Sequence, residues 1–258
     1  MNTRDPATKS IGAAGIVMAA GQGTRFASDV PKVMHRVAGR PMLAHVVDTG
    51  RAAGLDPLVV VIRPGMDMGS AAAGTVTVDQ PPTGRGTAFA VETGLGAVPS
   101  DVDVVVALYG DSPLVRPATV RGVLKALLSL DAVAAVSWAD VPDPGSFGRV
   151  RLAETGLVRG IVETADASAD ELALTTVNAG PAAFRAAWLR RALSRVEPSR
   201  TSGERYLTQL VDLAIDDGRR VAGYQITDLD ETLGCDDLDR LATANAAFER
   251  RERKRRHR

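Results

Sequence analysis

Apolar and polar positions change period repeatedly along this chain. Gly15–Ala20 is a continuous apolar run, as a strand covered on both faces should be. Leu58–Ile62 and Val102–Leu108 have the same character, and Thr75–Val78 and Ala132–Trp138 read as shorter strands. Between them lie segments of helical period at Pro41–Ala53, Thr87–Gly94 and Pro117–Leu130. Pro41 and Pro117 stand at first turns, where a missing N–H costs nothing. Strand and helix alternate, which predicts an α/β fold with a largely parallel sheet and helices on both faces. Sheets of this kind bind ligands at the carboxyl ends of their strands.

The second half is less regular. Gly148–Leu152 and Leu157–Glu163 predict a strand pair turning near Thr155-Gly156, and Leu174–Phe184 holds another strand. Ala186–Val196 and Tyr206–Asp216 read as helices, Val221–Ile226 as a strand, and Asp237–Arg250 as a last helix. No internal repeat and no linker interrupts this order. The expected layout is a flexible polar leader at 1–14, a single domain at 15–249 and a disordered basic tail at 250–258. A polyanion-binding role is the other reading of that tail.

Composition narrows the classes. Aromatics are only 4%, so Ala, Val and Leu must fill the core. Lys plus Arg and Asp plus Glu are 31 each, which gives no case for nucleic acid as a partner. Cys235 is the one cysteine, so no intramolecular disulfide forms, in keeping with a cytoplasmic protein. No apolar run reaches the roughly 20 residues of a membrane span.

The chemistry gathers in loops. Gly21 and Gly23 follow the first strand, where backbone N–H groups can approach an anion closely. Arg25 adds a forked donor and Lys32 a mobile point charge, together suited to a polyphosphate. A dinucleotide fingerprint would need a third glycine where Phe26 stands. Gln80 offers donor and acceptor to a base edge, or is simply a solvated loop amide. Asp111 ends an apolar strand and can hold a hard cation against phosphates, or cap the next helix. Cys235 has no basic neighbour that would mark a nucleophile, and His35 reads as structural.

The segments Ala19–Phe26 and Pro31–Met42, with Lys32-Val33-Met34-His35 as the most specific part, resemble the start of the sugar 1-phosphate nucleotidylyltransferases. Within that family they are most similar to the uridylyltransferase domain of the bifunctional N-acetylglucosamine-1-phosphate enzyme of bacterial wall synthesis. The resemblance runs from about Gly15 to Phe248 and stops where acetyltransferase repeats would begin. It implies a Rossmann-like, mixed and mostly parallel sheet of GT-A type, with a small β-rich sugar-binding portion.

It also implies roles. Arg25 and Lys32 would be catalytic. Ala19, Ala20, Gly21, Gly23, Thr24, Gln80, Gly86 and Thr87 would bind the nucleotide. Tyr109, Gly148, Glu163, Asn178, Tyr206 and Thr208 would bind the sugar. Asp111 and Asp236 would hold Mg2+, Asp236 taking the place of the family's asparagine or else capping the following helix. The partners implied are a nucleoside triphosphate, UTP favoured, and a sugar 1-phosphate, N-acetylglucosamine 1-phosphate favoured. Ala88, Phe147, Arg205 and Gln209 depart from the family's residues, which leaves open a specialised sugar or cyclitol pathway. The rival classes are a nucleotide-binding relative without turnover and an oxidoreductase using the Gly-rich turn for a dinucleotide, against which the missing third glycine argues.

Overall fold

The computed structural model describes residues 11–26 and 28–256. Its elements begin with β1 (Ala13–Met18), the short ribbon β2 (Arg36–Val37) and β3 (Arg40–Pro41), then α1 (Met42–Ala52), β4 (Leu58–Ile62) and β5 (Val76–Asp79). There follow α2 (Thr87–Leu95), β6 (Val104–Tyr109), α3 (Pro117–Ser129) and β7 (Ala134–Asp140). The hairpin β8 (Arg149–Leu152) and β9 (Val158–Val162) precedes α4 (Ala169–Leu172) and β10 (Thr176–Arg185). The last elements are α5 (Ala186–Ala192), α6 (Gln209–Asp216), β11 (Val221–Gln225) and α7 (Leu238–Arg256).

The main sheet runs β11-β7-β10-β6-β1-β4-β5, with the β8–β9 hairpin joined to β10. β1 pairs in parallel with β4 and β6, β4 with β5, and β7 with β11. Only β10 in this row runs antiparallel, to both β6 and β7. Alternate residues of each central strand enter opposite layers, as the two-residue period of a strand requires. Ile16, Val59, Val61, Val105 and Ala107 meet α2, α5 and α6 on one face. Val17, Val60, Val104, Val106 and Leu108 meet α1 and α3 on the other. Burial on both faces explains why these strands read as unbroken apolar runs.

Two boundaries differ from the sequence expectation. The leader at 1–10 lies outside the described residues, but Ala13 and Ala14 belong to β1, paired with Val104 and Val105. Their small side chains fit a strand buried in mid-sheet, and Gly12 N–H donates to Asp103 Oδ2 at 3.0 Å. At the other end, α7 continues to Arg256 through the stretch expected to be disordered. Arg250 pairs with Asp230 at 2.9 Å, Arg251 donates to the Leu114 carbonyl at 2.6 Å, and Arg253 pairs with Glu249 one turn back. Cations in a last turn also complement the negative end of the helix dipole. No helix among the described residues is long and apolar enough to cross a membrane.

Candidate functional site

β1 ends where two clefts meet. Ala19 is buried, and its N–H is taken by the Val61 carbonyl at 2.8 Å. The chain then leaves the sheet, and Gly21, Gly23 and Thr24 line both clefts. Gly23 has φ +61°, and a Cβ there would lie 2.5 Å from the Cβ of Lys32. The glycine thus lets Lys32 pack directly under the loop. Phe26 closes the turn and stacks on His35, centroids 4.3 Å apart, which gives His35 the structural role expected of it.

Lys32 draws the two halves of the chain together. Its ammonium pairs with Asp111 at the end of β6 and lies 2.5 Å from Asp236 Oδ1. Cys235 N–H donates to the Asp111 carbonyl at 3.0 Å, which sets the register of the two carboxylates. Burial opposes the Lys32 charge, but Asp111 and Asp236 together outweigh it and raise its pKa. Burial likewise opposes the Asp236 charge, and Lys32 with Arg240 and Arg25 outweighs it and lowers its pKa. Cys235 lies buried behind the pair, its thiol pushed up to about 12, by burial first and then by Asp111.

On one side lies a cleft of about 790 Å³, reached from the ends of β4 and β5. Gln80, Gly86 and Thr87 line it, as does Ala20. Gln80 Nε2 donates to the Gly84 carbonyl at 3.4 Å, and its Oε1 is buried without a partner. Gly86 has φ +96° and lies against the backbone of Arg205. Ala88 N–H donates to the Arg205 carbonyl at 2.9 Å, and Leu207 N–H to Thr87 Oγ1 at 2.8 Å.

On the other side lies a cleft of about 520 Å³, lined by Arg25, Tyr109, Gly148, Glu163, Asn178 and Tyr206 among others. Thr208 stands behind the wall, donating to Glu163 Oε1 at 2.7 Å. Burial raises the Glu163 pKa although the Thr208 hydroxyl favours its charged form. Burial, reinforced by Glu163 and Asp111, raises that of Tyr109. Asn178 pairs with Trp138 at the last regular position before a register shift in β10 that ends at Ala182, and its Oδ1 is buried without a partner. The glycine loop, Tyr109 and Asp111 belong to both clefts, so two ligands bound side by side would meet there.

Most of the residues expected at the site are therefore gathered at it. Ala19 and Thr208 line neither cleft. Sequence reasoning passed over Arg63 and Arg85 on the larger cleft and Arg240 on the smaller, where its guanidinium lies 5.8 Å from the Phe147 ring centroid. A single arginine after a strand or in a helix carries no motif that could have marked it. Among the described residues, no three metal-ligating His, Cys, Asp or Glu side chains cluster, and the carboxylates on Lys32 number two.

A crevice at the carboxyl ends of parallel strands, with a glycine loop beside paired carboxylates, is an arrangement suited to a nucleotidyltransferase. The chain belongs to the MobA-like NTP transferase domain family, whose profile matches residues 15–213. It is 39% identical over 243 residues to the "Bifunctional protein GlmU" of Alkalilimnicola ehrlichii, covering 92% of this chain and 51% of that protein. It is 38% identical over 250 residues to the protein of the same name from Mycolicibacterium vanbaalenii, covering 93% and 50%. The chain spans about half the length of these curated relatives. Among solved structures, a UDP-glucose pyrophosphorylase with UDP-glucose superposes with a TM-score of 0.73 at 17% identity, over 93% of this chain and 99% of that one. A CMP:2-keto-3-deoxy-manno-octonic acid synthetase with CTP superposes at 0.67 and 17% identity, over 93% and 99%. These likenesses establish the fold.

Proposed function

We propose that the chain joins a nucleoside triphosphate to a sugar 1-phosphate, releasing pyrophosphate, with UTP and N-acetylglucosamine 1-phosphate as the favoured pair. The observation that carries this reading is the meeting of two clefts at the glycine loop, Tyr109 and Asp111, with Gln80 on the wall of one and Asn178 on the wall of the other. Gln80 faces the base and Asn178 the sugar. Glu163, held by Thr208, accepts from a sugar hydroxyl.

The reaction asks for positioning and charge neutralisation rather than a protein nucleophile. A phosphate oxygen of the sugar 1-phosphate attacks the α-phosphorus, and the bond to the β-phosphate breaks. The sugar phosphate is already ionised, so no general base is needed. Arg25 and the amides of the loop neutralise the departing pyrophosphate, and Lys32 the charge shared between the substrates. Asp111 and Asp236 converge on one cationic group, a donor set that fits Mg2+, which typically takes one or two carboxylates and keeps waters or phosphate oxygens. Bound there, the metal would supply Lewis-acid neutralisation of phosphate charge.

The test is a pyrophosphate-release screen of the common nucleoside triphosphates and dTTP against a panel of sugar 1-phosphates. Silence of folded protein across the panel with magnesium present would sink the reading. With one active pair in hand, Asp111→Ala is expected to abolish turnover while thermal unfolding stays cooperative. Asp236→Asn is expected to alter the magnesium dependence.

A further inference from the structure

Three cations that line the smaller cleft, Arg25, Lys32 and Arg240, bear on the charge of Asp236. Arg240 is the third residue of α7, and its N–H donates to Asp237 Oδ1 at 2.8 Å. Side chains on a helix lean back toward its N-terminus. The guanidinium accordingly reaches toward the start of α7, with Nη1 4.0 Å from Asp236 Oδ2. The other oxygen of that carboxylate, Oδ1, lies 2.5 Å from Lys32 Nζ, so Asp236 stands between two cations. The Phe147 ring centroid lies 5.8 Å from the Arg240 guanidinium, and a Cβ built on Gly145 would lie 4.0 Å from its Nη2. Nearby arginines use their donors on the protein itself. Arg205 donates to the Val196 and Leu193 carbonyls and to Glu92, and Arg149 to main-chain carbonyls that include Phe147 and Gly145. The guanidinium of Arg240 makes no hydrogen bond among the described residues, and its contact with Asp236 is too long to be one.

We propose that Arg240 binds the phosphate of the sugar 1-phosphate in the smaller cleft. Lys32 already gives its ammonium to both Asp111 and Asp236, and the two carboxylates repel a phosphate that enters beside it. Arg240 offsets that repulsion with a charge that cannot be lost and a planar fork of donors that fits phosphate oxygens. Arg240 lines the smaller cleft and not the larger, so its charge serves the sugar phosphate rather than the base end of the triphosphate. The inference rests on the transferase reading above and assigns a binding residue to its second substrate.

The experiment compares the full chain with Arg240→Met, which keeps an unbranched stem against Phe147, and Arg240→Lys, which keeps the charge without the fork. Thermal unfolding checks that each variant is folded. KM is measured separately for each substrate of the active pair. Equilibrium binding of N-acetylglucosamine 1-phosphate and of glucose 1-phosphate is measured with EDTA at several salt concentrations, alone and with a non-hydrolysable UTP analogue. In Arg240→Met, KM for the sugar phosphate is expected to rise roughly tenfold, while KM for the triphosphate stays put. That is the low end for a bond to a charged group, because the side chain keeps 34% of its surface exposed. Equilibrium affinity falls by a similar factor, and its decline with added salt becomes shallower. Arg240→Lys recovers part of the loss. An equal rise in both KM values would overturn the proposal. So would a loss that lysine does not lessen and that leaves the salt dependence unaltered, since Arg240 would then only support the wall at Phe147. Unchanged affinity in Arg240→Met would overturn it too. If no pair of substrates turns over, the transferase reading fails, and the binding series still decides the role of Arg240; an unaltered protein that binds neither sugar phosphate overturns it.

Discussion

Gly86 is where the walls of the two clefts are joined. Its φ is +96°, and a Cβ there would lie 2.6 Å from Arg205 N, 2.9 Å from its carbonyl carbon and closer still to its oxygen. These are backbone atoms on the facing segment, so no rotamer change relieves the overlap. For Gly86→Ala, the positive φ costs about 1–2 kcal/mol, and forcing the segments apart costs about 1–3 kcal/mol. The bonds at risk are Arg205 N–H to the Arg85 carbonyl at 3.1 Å, Ala88 N–H to the Arg205 carbonyl at 2.9 Å, and Leu207 N–H to Thr87 at 2.8 Å. A net loss of about 3 kcal/mol in a chain of this size lowers Tm by roughly 6–12 °C. Because the joint carries Thr87, which lines both clefts, and Tyr206, which lines the smaller, KM is expected to rise for both substrates. Thermal unfolding followed by circular dichroism, with KM measured for each substrate, checks this. A variant with Tm within about 2 °C of the original and both KM values unchanged would refute the account of the joint.

Other outcomes follow from the same geometry. No atom lies within 4 Å of a Cβ built on Gly21, so Gly21→Ala is expected to change stability by less than about 0.5 kcal/mol. Its methyl group nonetheless enters the loop face offered to phosphate, so calorimetric titration should show weakened triphosphate binding; undiminished affinity would count against the nest. Burial raises the Glu163 pKa above its ordinary 4.5, so the ionised form costs stability above the folded pKa, and the cost vanishes below the unfolded one. Glu163→Gln keeps an acceptor for Thr208 and is therefore expected to be the more stable protein in mildly alkaline buffer, with the advantage shrinking on acidification. A denaturant titration in which that advantage instead grows toward acid pH would contradict the assigned burial. The Cys235 thiol, pushed up to about 12, is expected to resist iodoacetamide at neutral pH until the protein is unfolded, and stoichiometric labelling of the folded chain would show it to be accessible.

Hydropathy alone marked the central strands, because both faces of β1, β4 and β6 are buried and every position must be apolar. It also placed the glycine loop and Asp111 at strand ends, since turn residues must follow where such runs stop. The pattern carried no strand direction, so the reversal of β10 between two parallel sets was not legible. Direction depends on which edges meet, and that is a property of the assembled sheet. The continuation of α7 was hidden for a similar reason. A basic stretch reads as solvated until Asp230 and the Leu114 carbonyl, distant in sequence, are seen to receive its arginines.

Residue types along the chain thus determined an α/β domain and marked most of the residues that line its two clefts. Only the tertiary structure decided that Lys32 meets both Asp111 and Asp236, the latter 204 residues beyond Lys32. The physical reason is that a charge or a hydrogen-bond donor acquires its role from the group it faces. In a parallel sheet with crossover helices, that group lies on a neighbouring strand end rather than next along the chain.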